Sequence, residues 1–256
     1  MKPTIRLHTV HLEPRRGKDY AEVMFMGDLH LGHPQSWVAR FKEFLEYCIA
    51  HQIYVFFMGD MIESGLTSSI GDSVYQQKLN PQEQMEAVME LIKPVVKKGL
   101  VVGYLAGNHE FRIKKETSID VAKNICREMK IPYLGYACWN LFYVGTQHYS
   151  VYTYHGSSGS RFIHTKLKAA IDLSHYMMSD LLVMAHVHDV DSTPIERQYV
   201  DLHTHSVKVK KQYVVLSGHY LGYDKSYAQE KGYPPSKLGS PRVLFNAKEK
   251  DIHVSN

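Results

Sequence analysis

Seven side chains of metal-ligand type sit at the same kind of place in this sequence, directly after a short apolar run. Asp28 and His30 follow residues 23–26, and Asp60 follows residues 53–58. Asn108 follows residues 100–105 at the head of Gly107-Asn108-His109-Glu110, His155 follows residues 149–154, and His186 and His188 follow residues 181–185. Apolar runs of that length read as buried strands. Side chains two apart on an extended segment point the same way, so a carboxylate and an imidazole delivered together from a strand end can grip one metal ion. The sequence supplies its own controls: Asp201/His203, Asp251/His253 and His203/His205 have the same spacing but no apolar strand before them, and they read as surface groups.

The segments between these strand ends must position them. Trp37, Val38, Phe41, Phe44, Leu45, Cys48 and Ile49 recur at helical spacing, which predicts an amphipathic helix over residues 35–51 between the first two strands. Asn80 and Pro81 read as an N-cap and first-turn pair for a second helix that Gly99 ends, with Pro94 expected to kink or interrupt its last turn. Strand, helix, strand, helix, strand is the pattern of parallel crossovers. Ser118 is expected to cap a helix running to Met129, and another helix is expected over residues 161–178. Residues 64–80, rich in Ser, Gly and Gln, read as a loop. Residues 142–144, 198–202, 208–216 and 242–245 read as further strands, and residues 1–20 as a first strand and a polar turn.

At 256 residues with 44% hydrophobic content, the chain can bury a large core, and a single domain is expected over its whole length. The formal charge of +4 resides entirely in residues 201–256, which hold nine Lys/Arg against five Asp/Glu. A basic end suits an anionic substrate, nucleic acid included, or a solvated Lys-bearing hairpin. Cys48, Cys126 and Cys138 have no Cys-x-x-Cys spacing and read as packed thiols of a reducing compartment. No apolar run approaches a membrane span, and no leader-like pattern opens the chain, so a cytoplasmic protein is expected, in the host cell if phage-encoded. Nothing in the sequence marks an obligate protein partner.

The ordered blocks Asp28-x-His30, Gly59-Asp60, Gly107-Asn108-His109-Glu110, His155 and His186-x-His188 resemble those of the calcineurin-like metallophosphoesterase superfamily, over about residues 23–190 with a looser echo in 213–245. Ala185 stands where that family usually has glycine. The resemblance implies an α/β fold, a four-layer α/β/β/α sandwich of two mixed sheets. It implies two divalent metal ions, one held by Asp28, His30, Asp60 and His188, the other by Asp60, Asn108, His155 and His186, with Asp60 bridging. Imidazole and carboxylate donors suit manganese, the first choice, or iron, nickel, cobalt or zinc. In that family a metal-bound hydroxide attacks phosphorus in line, and the histidine matching His109 stabilises the transition state or protonates the leaving oxygen. Glu110 is expected to orient a neighbour.

The expected activity is hydrolysis of a phosphoester, a phosphodiester first, with single-stranded nucleic acid or a nucleotide among the candidate substrates. A phosphomonoesterase acting on a nucleotide or other small molecule is the alternative, and a non-catalytic scaffold is disfavoured by the complete ligand set. The Asp-Arg-Gly block of the family's protein phosphatases is absent after Asp60, where the chain reads Met61-Ile62-Glu63. Arg112 and Arg161, just beyond ligand blocks, are candidates to supply a cation to the substrate, and residues 156–160 form a Gly/Ser turn able to offer N–H groups to an anion. In residues 219–241, Tyr220, Tyr223, Tyr227 and Tyr233 alternate with Lys225, Lys231 and Lys237, as if to flank the substrate by stacking and charge; the segment resembles the tail of phage-type members.

Overall fold

A computed structural model describes residues 7–67, 69, 73–160, 162–224 and 226–256. The chain opens with β1 (Leu7–Leu12) and β2 (Tyr20–Met26), crosses by α1 (Val38–His51) to β3 (Tyr54–Phe57), then passes a short α2 (Ser73–Gln76) and α3 (Pro81–Lys97) to β4 (Val101–Tyr104). Two helices follow, α4 (Asn108–Thr117) and α5 (Val121–Met129), then β5 (Ala137–Val144), β6 (Gln147–Tyr154), α6 (Ile163–Ser174) and β7 (Leu181–Met184). The last part is β8 (Val190–Asp201), β9 (Ser206–Ser217), α7 (Tyr227–Glu230), β10 (Arg242–Asn246) and β11 (Ile252–Ser255).

These strands form a five-stranded sheet, β11-β10-β2-β3-β4, and a six-stranded sheet, β1-β5-β6-β7-β9-β8. In the first, β2, β3 and β4 are parallel while β10 joins β2 antiparallel; in the second, β1–β5, β6–β7 and β7–β9 are parallel and β5–β6 and β8–β9 antiparallel. Both are therefore mixed. Strand side chains alternate between two buried faces, which explains the unbroken apolar runs. Val23, Phe25, Phe56 and Met58 enter the core between the sheets, while Met24, Met26, Val55 and Phe57 meet the helices outside. There Phe41, Leu45 and Cys48 of α1 and Val88, Ile92 and Val95 of α3 complete the outer core. Ala170 of α6 covers Leu182, Met184, Val214 and Leu216 on the far side. Helices, sheet, sheet and helix make the four expected layers.

Some elements depart from their sequence expectation. Pro94 does not interrupt α3, whose last turn continues through it to Lys97. It is exposed, so the carbonyl deprived of its N–H partner faces water. Ser118 does not cap the following helix; it adopts φ 62° at the end of α4, and the Asp120 side chain caps α5 by accepting from the Lys123 N–H. Part of the expected loop 64–80 is α2. β8 starts at Val190 instead of 198, because Pro194 is tolerated on a strand at the sheet edge. Among the described residues no helix is long and apolar enough to cross a membrane.

Candidate metal centre

Three of the five strand ends, those of β2, β3 and β7, turn sharply on a polar side chain held in the left-handed region. Asp28 (φ 49°), His30 (φ 50°), Asp60 (φ 50°), His186 (φ 69°) and His188 (φ 51°) all have positive φ. A non-glycine residue there costs of order 1–3 kcal/mol and persists only where its surroundings impose it. Backbone bonds impose it here: Asp28 N–H donates to Gly59 O at 3.0 Å, His30 N–H to Asp60 O at 3.0 Å, and Tyr220 N–H to Asp28 O at 3.0 Å. Glu110, buried in the first turn of α4, completes the brace. Its carboxylate accepts from the N–H groups of Gly107 (2.8 Å), Asp60 (3.0 Å) and Met61 (2.8 Å), so it orients the block around Asp60. Burial and the Asp60 charge push its carboxyl up to about 7, opposed by those donors. Only glycine fits at 107, where a Cβ would lie 2.0 Å from Asp60 Oδ1.

The two aspartates are arranged alike. Asp28 Oδ2 accepts from the His186 N–H at 3.0 Å and Asp60 Oδ1 from the His109 N–H at 2.8 Å, so each commits one oxygen to the backbone and turns the other inward. Asp28 Oδ1 lies 3.2 Å from His188 Nε2 and 3.9 Å from His30 Nε2. Asp60 Oδ2 lies 3.9 Å from His30 Nε2 on one side and 3.3 Å from His155 Nε2 on the other. The ligand-type atoms of Asp28, His30 and His188 lie within 4.8 Å of one another, as do those of Asp60, His155 and His186 and those of His30, Asp60 and His109. Asn108 Oδ1 stands 3.0 Å from His155 Nε2. The structure thus brings all seven strand-end residues to one place.

The donor set fits divalent metal. His155 Nδ1 sits 2.7 Å from Met58 O, which can only accept, and His30 Nδ1 sits 3.0 Å from the Glu63 carboxylate. Both rings therefore carry their proton outward when neutral and present the Nε2 lone pair to the cluster. Lone pairs of His155 and His30 then face carboxylate and amide oxygens, contacts that become favourable when a cation lies between them. Asp28 Oδ1 and His186 Nδ1 are buried without a hydrogen-bond partner, as ligand atoms of a metal site would be. In the metal-free chain protons take that part. Burial opposes charge on His155, yet the Asp60 carboxylate outweighs it and raises the imidazole to about 9. Burial likewise acts against ionised Asp60, but the imidazoles of His155, His109 and His30 hold its carboxyl well below the usual range.

His109 lies against this cluster, 3.9 Å from Asp60 Oδ2 through Nε2. Its Nδ1 donates to Glu63 O at 2.6 Å and its Nε2 accepts from Arg112 at 3.0 Å, an arrangement that fits neutral imidazole. Burial, followed by the opposing and reinforcing charges around it, lowers its pKa to about 4. Arg112 is thus turned to His109, and Arg161 lies outside the described residues. A cavity of about 340 Å³ opens over His30, Asp60, His109, His186 and His188.

Sequence reasoning missed Glu63 and His219. Glu63 bonds His30 and is 4% exposed; burial would raise its carboxyl, but His30 and His109 hold it at about 2. His219 stacks on His188 with ring centroids 5.1 Å apart. Glu63 does not follow an apolar run of its own, whereas His219 follows residues 213–216 much as the ligand blocks follow theirs, a signal the spacing of paired ligands did not single out.

The chain matches the family model of calcineurin-like phosphoesterases over residues 21–233. Among solved structures it is similar to a predicted phosphoesterase from Streptococcus pneumoniae, with 10% identity, a TM-score of 0.40, and 93% of this chain and 90% of that one covered. Vacuolar protein sorting 29 from Cryptosporidium parvum gives 15%, 0.40, 93% and 97%, and its counterpart from Chaetomium thermophilum gives 11%, 0.41, 93% and 96%. Those values are too low to bear on activity or partners. No curated protein matches the chain. With a family match that spans most of its length and carries every ligand block from Asp28 to His188, the chain belongs to the calcineurin-like phosphoesterase family.

Proposed function

We propose that the protein hydrolyses phosphodiesters with two divalent ions, manganese first among them. The observation that carries this reading is the position of Asp60 Oδ2, flanked by His30 on one side and His155 on the other. Asp28, His30, Asp60 and His188 would hold one ion, and Asp60, Asn108, His155 and His186 the second. Bound there, the pair supplies Lewis-acid polarisation of phosphoryl oxygen and acidifies the attacking water.

The chain's own residues prepare the rest. Glu63 and Met58 O hold the protons of His30 and His155 outward, which keeps the inner nitrogens available. His109 faces the cavity with its proton on Nδ1 against Glu63 O, and Arg112 places a permanent positive charge against Nε2. In this arrangement the pair stabilises charge that develops on the phosphoryl group or the leaving oxygen; to donate a proton, His109 must release Arg112 and become protonated at Nε2.

A diester is favoured over a monoester by charge. Lys166 is the one Lys or Arg among the described residues that line the cavity, and its Nζ is bonded to Asp189 at 3.1 Å. Among the described lining residues no arginine stands free to clamp the second charge of a monoester dianion, Arg112 being bonded to His109. Purified protein should contain divalent metal and, with Mn²⁺ added, cleave bis(4-nitrophenyl) phosphate faster than 4-nitrophenyl phosphate, with a chelator abolishing both. Preference for the monoester promotes the phosphomonoesterase reading, and cleavage of neither ester by metal-loaded protein overturns the hydrolase reading.

A further inference from the structure

We infer that the segment 219–238 builds a subsite for a flat, uncharged aromatic group on a small phosphodiester; this rests on the phosphodiesterase reading and specifies its substrate. The cavity of about 340 Å³ lies in the lower range of small-molecule sites. Its base is the histidine and aspartate cluster, and another part of its lining is Leu221, Tyr223, Tyr233, Pro234 and Leu238, all from this one segment.

The wall is tied to the metal centre. Tyr220 N–H donates to Asp28 O at 3.0 Å, Trp37 N–H to Tyr220 O at 2.8 Å, and Gly222 N–H to Gln35 O at 2.8 Å, so the segment is fastened to the turn that carries Asp28 and His30. Gly239 N–H donates to His219 O at 2.9 Å, and the His219 ring lies nearly parallel to that of His188, at 5°. The Tyr223 hydroxyl donates to Tyr233 O at 2.8 Å, which fixes one aromatic ring of the lining without using its face. Tyr220 is fully buried in the outer core and takes no part in the cavity.

Among the described lysines of the segment, neither Lys231 nor Lys237 lines this cavity. Lys237 lines a separate cavity with Arg40 and Arg242, Lys231 is exposed, and Lys225 lies outside the described residues. Non-specific binding of a nucleic-acid strand needs a track of cations beside its stacking platforms. Here the described lining holds aromatic and apolar surface with Lys166 already paired, which suits one ring beside one phosphate instead of a polymer.

Dimethyl phosphate and diphenyl phosphate carry the same single charge and separate the ring from the phosphate. Calorimetry on Mn²⁺-loaded protein should show diphenyl phosphate binding about tenfold or more tighter, the scale of a stacked ring. Tyr223→Ala should reduce that ratio severalfold, while Tyr223→Phe, which keeps the ring, should largely preserve it. Equal affinities in the wild-type protein, or an unchanged ratio in Tyr223→Ala, overturn the subsite. A short single-stranded oligonucleotide that binds tighter than diphenyl phosphate, with affinity falling as salt rises, overturns the small-ligand assignment. Ring preference without cleavage of bis(4-nitrophenyl) phosphate leaves the subsite standing and removes the hydrolase reading instead.

Discussion

At the scale of single residues, the centre is organised by what each carboxylate does with its second oxygen. Asp60 gives Oδ1 to the His109 N–H and keeps Oδ2 between His30 and His155. In Asp60→Asn, the amide oxygen cannot accept from His109 and also serve both donor sets, and the negative charge is lost. Both ions should weaken by more than the roughly 10- to 100-fold that loss of an outer hydrogen-bond partner costs. Metal analysis of the variant decides it, and two ions per chain at unchanged affinity would remove the bridging assignment. His109→Ala should keep its metals and lose roughly 10²- to 10⁴-fold in rate. Steady-state kinetics beside metal analysis checks both halves, and full activity would return His109 to a packing role. The strand-end ligands were legible in the sequence because each follows its own apolar run. Glu63 was not, because its bond to His30 spans 33 positions and no spacing encodes it. His219 also stands at a strand end, after residues 213–216, but its stacking on His188 needs the fold.

At the scale of elements, helix ends carry the construction. Asn80 caps α3: its side chain accepts from the Glu83 N–H at 3.0 Å, and the Glu83 carboxylate accepts from the Asn80 N–H at 2.8 Å. Asn80→Ala should destabilise the protein by about 1 kcal/mol, the usual cost of a lost cap. The cap lies outside the ligand set, so metal affinity should stay unchanged. Chemical denaturation and a metal titration on the same sample test the pair, and a parallel loss of affinity would show that α3 transmits to the site. The N-cap pair, the two crossovers and strands β2, β3, β4 and β10 of the first sheet were readable because apolar period and turn chemistry agree there, whereas β11, with a single buried residue, Ile252, was not. α4 was not. Its only apolar residues are Phe111 and Ile113, two apart, and its other residues are polar or charged, so no helical stripe announces it. What makes it a helix is Glu110 binding backbone donors at its start, an arrangement visible only once Asp60 and Gly107 are adjacent. β8 was concealed for a different reason, a proline in an edge strand whose outer half is largely solvent-facing.

At the scale of the whole molecule, protons and metal compete for one set of nitrogens, and the stability of the fold records which is bound. In the metal-free chain His155 is raised from the ordinary 6.5 to about 9, since the Asp60 charge and hydrogen bond exceed the burial that lowers it. A proton held more tightly folded than unfolded stabilises fully below 6.5, and that contribution is lost as pH rises through about 9. His30 is raised as well: burial lowers it, but Glu63, Asp60 and Asp28 prevail, so it acts in the same direction. His109, lowered to about 4, has the opposite sign: its contribution is present above 6.5 and is lost as pH falls from there through about 4. Metal reverses the alkaline limb. Its affinity rises as the imidazoles lose protons, and each tenfold gain adds about 1.4 kcal/mol when free metal is well above Kd. The gap in Tm between Mn²⁺-loaded and chelator-treated protein should therefore widen from pH 6.5 toward about 9, with the chelated protein declining over that interval. Thermal unfolding at fixed free Mn²⁺ across this range measures it directly. A gap that does not change with pH would mean that the ions displace no protons from His155 and His30, and the ligand assignment of those two residues would fail with it.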